Sequence, residues 1–194
     1  MIVIVNSGLI FGVGLALLVV LGAVLAKRLP PEYRSRRTPT IQTVAIAWVF
    51  LGIHFTLVVL ALVDSTWHVN LPAAAGGAGV VLTVLGAAIY LSALFAYRSF
   101  KRLQGLDTTR LVTDGIYRWS RNPQAVGWTL VLVGVGLIRQ SAMVLVLAFG
   151  LWGAFRLYLP VEEELLQRLF GDAYESYRRR THRHFGPPRE DIAE

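Results

Sequence analysis

Two polar patches in this chain carry residue types that could do chemistry together. The first, "LVTDGIYRWSRNPQAVGW" at residues 111–128, sets Arg118 and Arg121 beside Asn122 and Pro123. Asn-Pro reads as an N-cap followed by the first helical residue, so a helix starts there with unpaired backbone N–H groups that attract anions. Gly115 permits a close turn, and Tyr117, Trp119 and Trp128 supply flat faces. The second patch, Glu162, Glu163 and Glu164, directly follows the last apolar run. Brought to one membrane face, the two would complement a ligand bearing both a carboxylate and an ammonium group. The chain has no cysteine, which removes thiolate nucleophiles, thiolate metal sites and disulfides. No spacing of its other ligand-type residues suggests a metal centre.

The elements that must position these patches are apolar. Hydrophobic residues make up 55% of the 194 and charged residues 16%, gathered into runs at about 2–26, 41–63, 73–97, 123–138 and 141–159. This predicts an all-α integral membrane protein of about five transmembrane helices, read as a single domain over 1–194. Residues 1–97 form three N-terminal spans, and 98–194 hold the polar loop, a helical hairpin and a tail. The join "RQS" at 139–141 is too short for anything but a tight reversal, so spans four and five form the hairpin. That fold places the start of one beside the end of the other. The third span is rich in Ala and Gly, residues that let helix backbones approach closely in a bilayer. Past Pro160, Leu165, Leu166, Leu169 and Phe170 recur at helical spacing. They predict an interfacial amphipathic helix with three acids in its first turn, a stop at Gly171, and a second short helix capped by Asp172.

The net charge of +7 sits in the joins and the tail rather than along the spans. Segment 27–40 carries Lys27, Arg28, Arg34, Arg36 and Arg37; segment 98–122 carries Arg98, Lys101, Arg102, Arg110, Arg118 and Arg121. Basic loops face the cytoplasm, which puts the N-terminus outside and the arginine-rich tail inside, in a plasma or inner membrane. The first run has no preceding positive charge and reads as a retained span rather than a signal peptide. Topology accounts for the basic balance, and no nucleic-acid-binding module accompanies it. His54, deep in the second span, reads as a polar residue facing the bundle. Arg156, one turn from the end of the last run, either snorkels to the interface or touches substrate.

The stretch "LVTDGIYRWSRNPQAVG", followed beyond the apolar hairpin by "EEELLQRLFGDAYESYRRRTHRHFGP", resembles the isoprenylcysteine carboxyl methyltransferase family and its phospholipid N-methyltransferase relatives. The likeness covers about residues 108–187; earlier residues match only as generic spans. It implies S-adenosylmethionine as cofactor, bound where the two motifs meet. Val112, Gly115 and Tyr117 would line the adenosine pocket, with Arg121, Asn122, Pro123 and Ala125 near the methionine part. Glu162 and Glu163 would meet the ammonium or ribose. Arg183, Glu163 and Arg156 would serve the reaction, an in-line attack on the sulfonium methyl by a lipophilic acceptor delivered from the membrane lipids. Asn122 stands where the family has His, and Ala125 where it has Tyr. The alternatives are a membrane reductase using NADPH, which shares a similar hairpin, and a non-catalytic lipid-binding protein.

Overall fold

The computed structural model describes residues 7–36, 38–64, 66–97 and 109–189. Six α-helices follow in order: α1 Ser7–Arg36, α2 Ile41–Val63, α3 Ala73–Tyr97, α4 Pro123–Arg139, α5 Ala142–Phe170 and α6 Asp172–Arg180. A 3-10 turn, Gly115–Arg118, precedes α4. Helices α1, α2, α3 and α5 are long and apolar enough to cross a membrane; α4, at 17 residues, is shorter. The all-α membrane architecture read from the sequence is the observed one. Of the basic residues used to orient it, Arg37, Arg98, Lys101 and Arg102 lie outside the described residues.

Helices α3 and α4 make the most extensive contact in the molecule, and small residues are the cause. A Cβ on Gly86 would stand 2.7 Å from the Gly127 carbonyl oxygen and from the Val131 nitrogen, and one on Gly134 would stand 2.6 Å from the Gly79 oxygen. Gly79, Gly86 and fully buried Ala93 recur every seven residues on α3, facing Gly127 and Gly134 on α4. Backbones this close gain dispersion contact that a bilayer cannot supply through apolar burial. Gly76 and Gly77 have no such neighbour. A second core joins Phe11 and Leu18 of α1, Leu57 and Ala61 of α2, Leu132 of α4, and Met143 and Leu147 of α5. His54 faces into the bundle, as expected, and accepts a 2.9 Å hydrogen bond from the Trp128 indole.

Gln140, in the left-handed conformation at φ 49°, ends α4, and Ser141 caps α5 by accepting from the Val144 N–H. This is the expected hairpin. The backbone at 67–69 pairs with its turn, Ala142 N–H donating to Trp67 and Val69 N–H to Gln140.

Three local expectations are corrected. The basic segment 27–40 is not a free join, because α1 continues through Pro30 and Pro31 to Arg36. Ser35 donates back to the Pro31 and Glu32 carbonyls, and the Glu32 carboxylate accepts from Thr40 N–H and from the Thr40 and Thr43 hydroxyls, tying this last turn to the start of α2. Pro160 likewise does not divide α5, which runs on to Phe170. A proline removes one ladder bond, and the ion pairs of the following turns hold the helix beyond it. The three glutamates therefore lie within one continuous helix, not in the first turn of a new one. Gly171, at φ +50°, both ends α5 and caps α6, so Asp172 is not the cap. Nothing lies within 4 Å of a Cβ built there; the backbone angle, not space, calls for glycine.

Candidate functional site

The start of α4, the far turns of α5 and the tail meet at one end of the bundle. Arg121 donates from Nε and Nη2 to Glu163 Oε1 at 3.0 and 2.8 Å, and from Nη1 to the Arg178 and Thr181 carbonyls. Arg183 donates to the same carboxylate, Nε to Oε1 at 3.1 Å and Nη2 to Oε2 at 2.7 Å. The side chains of Glu163 and Arg121 are 8% and 10% exposed, that of Arg183 46%. Hydrogen bonding to Glu163 raises the Arg183 pKa despite the opposing effect of burial. Backbone bonds extend this ionic knot: Arg121 N–H donates to His182 and Gly186 N–H to Trp119. Trp119 stacks on Phe185 at 6.1 Å, and the Tyr177 hydroxyl donates to the Tyr117 carbonyl at 2.8 Å. Asn122 occupies the N-cap position of α4 but makes no side-chain cap; its amide donates to the Arg183 carbonyl at 3.0 Å instead.

Successive residues of a helix point about 100° apart, and the three glutamates separate accordingly. Glu164 turns outward to Arg34 and Arg168. Glu162 turns inward and has no hydrogen bond or ion pair among the described residues. Tyr158 stands one turn back on the same helix, and the phenols of Tyr117 and Tyr174 are buried together at this end of the bundle. Burial pushes the Tyr117 phenol far up, followed by Tyr97 and the Glu162 carboxylate. Tyr174 is raised by burial and then by Glu163 against the pull of Arg121, so both rings stay neutral. The Tyr174 hydroxyl and Gln167 Oε1 are buried with no hydrogen-bond partner.

Against the packing around Tyr117 lies a cavity of about 580 Å³ whose wall includes Ser92, Phe95 and Ala96 of α3 with Val112, Gly115 and Trp119. Ala96, Val112 and Ile116 belong both to that wall and to the packing around Tyr117. Gly115 adopts φ +63°, which makes the turn. Of the residues singled out in the sequence, Val112 and Gly115 line the cavity and Tyr117 lies buried behind it. Arg121, Asn122, Glu163 and Arg183 join in one knot, while Pro123 and Ala125 are buried in the first turn of α4. Arg156 is exposed and makes no ion pair among the described residues. Its charge reaches His184, which stacks against Trp152 at 4.9 Å. Burial lowers the His184 pKa first, then Arg156 and Arg183. Sequence reasoning missed the α3 wall of the cavity, Ser92, Phe95 and Ala96, which nothing in the sequence marks.

Helices long and apolar enough to cross a membrane, with an ionic knot gathered at one end of the bundle, define an all-α integral membrane protein. The phospholipid methyltransferase profile matches residues 75–173, just over half of the chain, and the chain belongs to that family. It is 32% identical over 109 residues to a probable protein-S-isoprenylcysteine O-methyltransferase of Oryza sativa subsp. indica, covering 54% of this chain and 57% of that protein. It is 30% identical over 108 residues to the protein-S-isoprenylcysteine O-methyltransferase of Mus musculus, covering 53% and 38%. The Schizosaccharomyces pombe protein of that name is 38% identical over 72 residues, covering 37% and 30%. The chain thus spans at most about half the length of the curated relatives it matches.

Proposed function

We propose that this chain is a methyltransferase that uses S-adenosylmethionine and takes a lipophilic acceptor from the bilayer. The observation that supports the reading is the pairing of a cavity walled by Phe95, Val112, Gly115 and Trp119 with Glu162, a carboxylate at the same end of the bundle that has no hydrogen-bond or ion-pair partner among the described residues. S-adenosylmethionine supplies an electrophilic methyl on a sulfonium, together with an ammonium group and an adenine. The donor set fits it. Glu162 would balance the positive charge, and Val112, Gly115 and Trp119 offer a slot for the base. NADPH fits worse, because its phosphates would meet an unpaired carboxylate.

The geometry supports a division of labour. Arg121, Glu163, Arg183 and Asn122 clamp the tail over the start of α4, where Pro123 and Ala125 form the floor. In this reading they organise the site rather than touch the donor. Excluding water and holding the reactants in line supply most of the rate in such a displacement. Arg156 stands with Trp152 and His184 where α5 leaves the membrane, a place from which to meet an acceptor headgroup such as an isoprenylcysteine-like carboxylate. The basic end of the bundle faces the cytoplasm under the positive-inside rule.

Two measurements test the proposal. Isothermal titration in detergent is expected to give binding of S-adenosylmethionine and S-adenosylhomocysteine and none of NADPH. Incubation with a total lipid extract and labelled S-adenosylmethionine is expected to move label into the lipid fraction. Binding of NADPH alone, or of neither ligand, would overturn the reading.

A further inference from the structure

We propose that Phe185, carried on the tail beyond α6, is a positioning residue that holds the Trp119 ring as a wall of the cavity where the flat base of the methyl donor binds. The inference deepens the function proposed above and rests on it. Phe185 lies outside residues 75–173, so the family match does not reach it.

Trp119 borders the cavity without being fixed by its own segment. It stands between the 3-10 turn and α4, its residue is 44% exposed, and it belongs to neither hydrophobic core. The tail supplies the missing support. After α6 ends, the chain closes a loop, with Arg189 N–H donating to the Arg180 carbonyl at 2.9 Å. Four groups of that loop bond to the segment 119–122: Gly186 N–H donates to the Trp119 carbonyl, and the carbonyls of Thr181, His182 and Arg183 accept from the Arg121 guanidinium, the Arg121 N–H and the Asn122 amide. Inside the loop the His182 ring lies against Gly186, where an added Cβ would stand 2.5 Å from it. So tied, the loop sets Phe185 on Trp119, the ring centroids 6.1 Å apart and the planes 23° from parallel.

Aromatic rings also gather at membrane interfaces as simple anchors. An anchor needs no partner and no orientation. Here one ring borders the cavity while the other, 47% exposed, backs it from the tail. An indole already ordered by such a stack spares an incoming ligand the entropy of ordering it. Phe185 therefore acts through Trp119, and the tail that Arg121 and Asn122 hold down completes the base slot.

The experiment uses the full chain in detergent, with S-adenosylmethionine as the probe. Phe185→Leu is expected to weaken binding about two- to tenfold, the fold-change that corresponds to a stacked aromatic pair. Under turnover the loss should appear in the donor KM and not in kcat at saturating donor. Phe185→Tyr, which keeps the ring, should stay within about twofold of wild type on the same basis. In a Trp119→Leu background, Phe185→Leu should add less than about twofold, because nothing is left for it to position. A second readout needs no affinity. In a chain labelled with fluorotryptophan, the fluorine signal of Trp119, identified by its loss in Trp119→Phe, should move with Phe185→Leu before ligand is added. In wild type the same signal should move when S-adenosylmethionine binds. Wild-type affinity in Phe185→Leu, an equal loss in Phe185→Tyr, an undiminished loss in the Trp119→Leu background, or a Trp119 signal that either change leaves unmoved would overturn the inference. The proposed function would survive any of these, with the two rings left as interfacial anchors. Failure of the wild-type chain to bind S-adenosylmethionine would overturn both.

Discussion

Glu162 and Glu163 are neighbours in sequence and opposites in the fold. Glu163 is buried and held by two guanidiniums; Glu162, about 100° around the same helix, has no hydrogen bond or ion pair among the described residues. The first is a structural knot whose charges are spent on each other. The second has no counter-charge, which makes it the member of the pair open to a ligand. The sequence treats the two as equivalent members of one acidic cluster; helical geometry does not.

The contrast can be broken experimentally. Arg121→Ala removes the better buried of the two cations on Glu163, and breaking a buried pair costs about 3 kcal/mol or more. Thermal unfolding in detergent should show that loss. An unchanged midpoint would mean that the knot contributes nothing. Glu162→Gln should do the reverse: keep the unfolding midpoint and lose about 1–3 kcal/mol of S-adenosylmethionine affinity by titration, the scale of a lost charge-assisted contact. If Glu163→Gln weakened binding without changing stability while Glu162→Gln did neither, the two roles would have to be exchanged.

Smaller effects sharpen the boundary. Arg183→Ala should cost only about 1 kcal/mol of stability, because its side chain is 46% exposed and water screens the pair. Ala125→Tyr restores the residue that the resemblance expects, but Ala125 is 5% exposed within α4. Overpacking there should destabilise by about 1–3 kcal/mol, read as a lowered midpoint; a gain in methyl transfer at an unchanged midpoint would show room that the fold does not offer. The smallest effect concerns pH. The folded His184 pKa lies below its ordinary value, so the unfolded chain binds its proton first as pH falls. Stability should therefore decline as pH drops below about 6.5 and level off once the folded residue is protonated too. His184→Asn should flatten that slope, as followed by melts between neutral and mildly acidic pH.

Much of the architecture was legible because it depends on local composition. Apolar runs of spanning length, the glycine-rich face of α3 and the three-residue reversal between α4 and α5 all follow from patterns within a few dozen residues. Proline misled at Pro160, because its cost to a helix is finite and contacts on the following turns can exceed it, and the basic residues of 27–40 were read as a join although α1 continues through them to Arg36. Asn122 was placed correctly and assigned the wrong bond, since capping competes with any nearby acceptor and the Arg183 carbonyl arrives only with the tail.

By itself, the sequence determined that the chain crosses a membrane as helices, that its charge gathers between them, and that Arg121 and the glutamates lie at one end of a hairpin. Those properties are additive along the chain. Which glutamate is paired with Arg121 and Arg183, and which turns outward to Arg34, only the tertiary structure decided. Pairing depends on directions around a helix axis and on residues from α1, well over a hundred positions away, and neither is written in any local stretch.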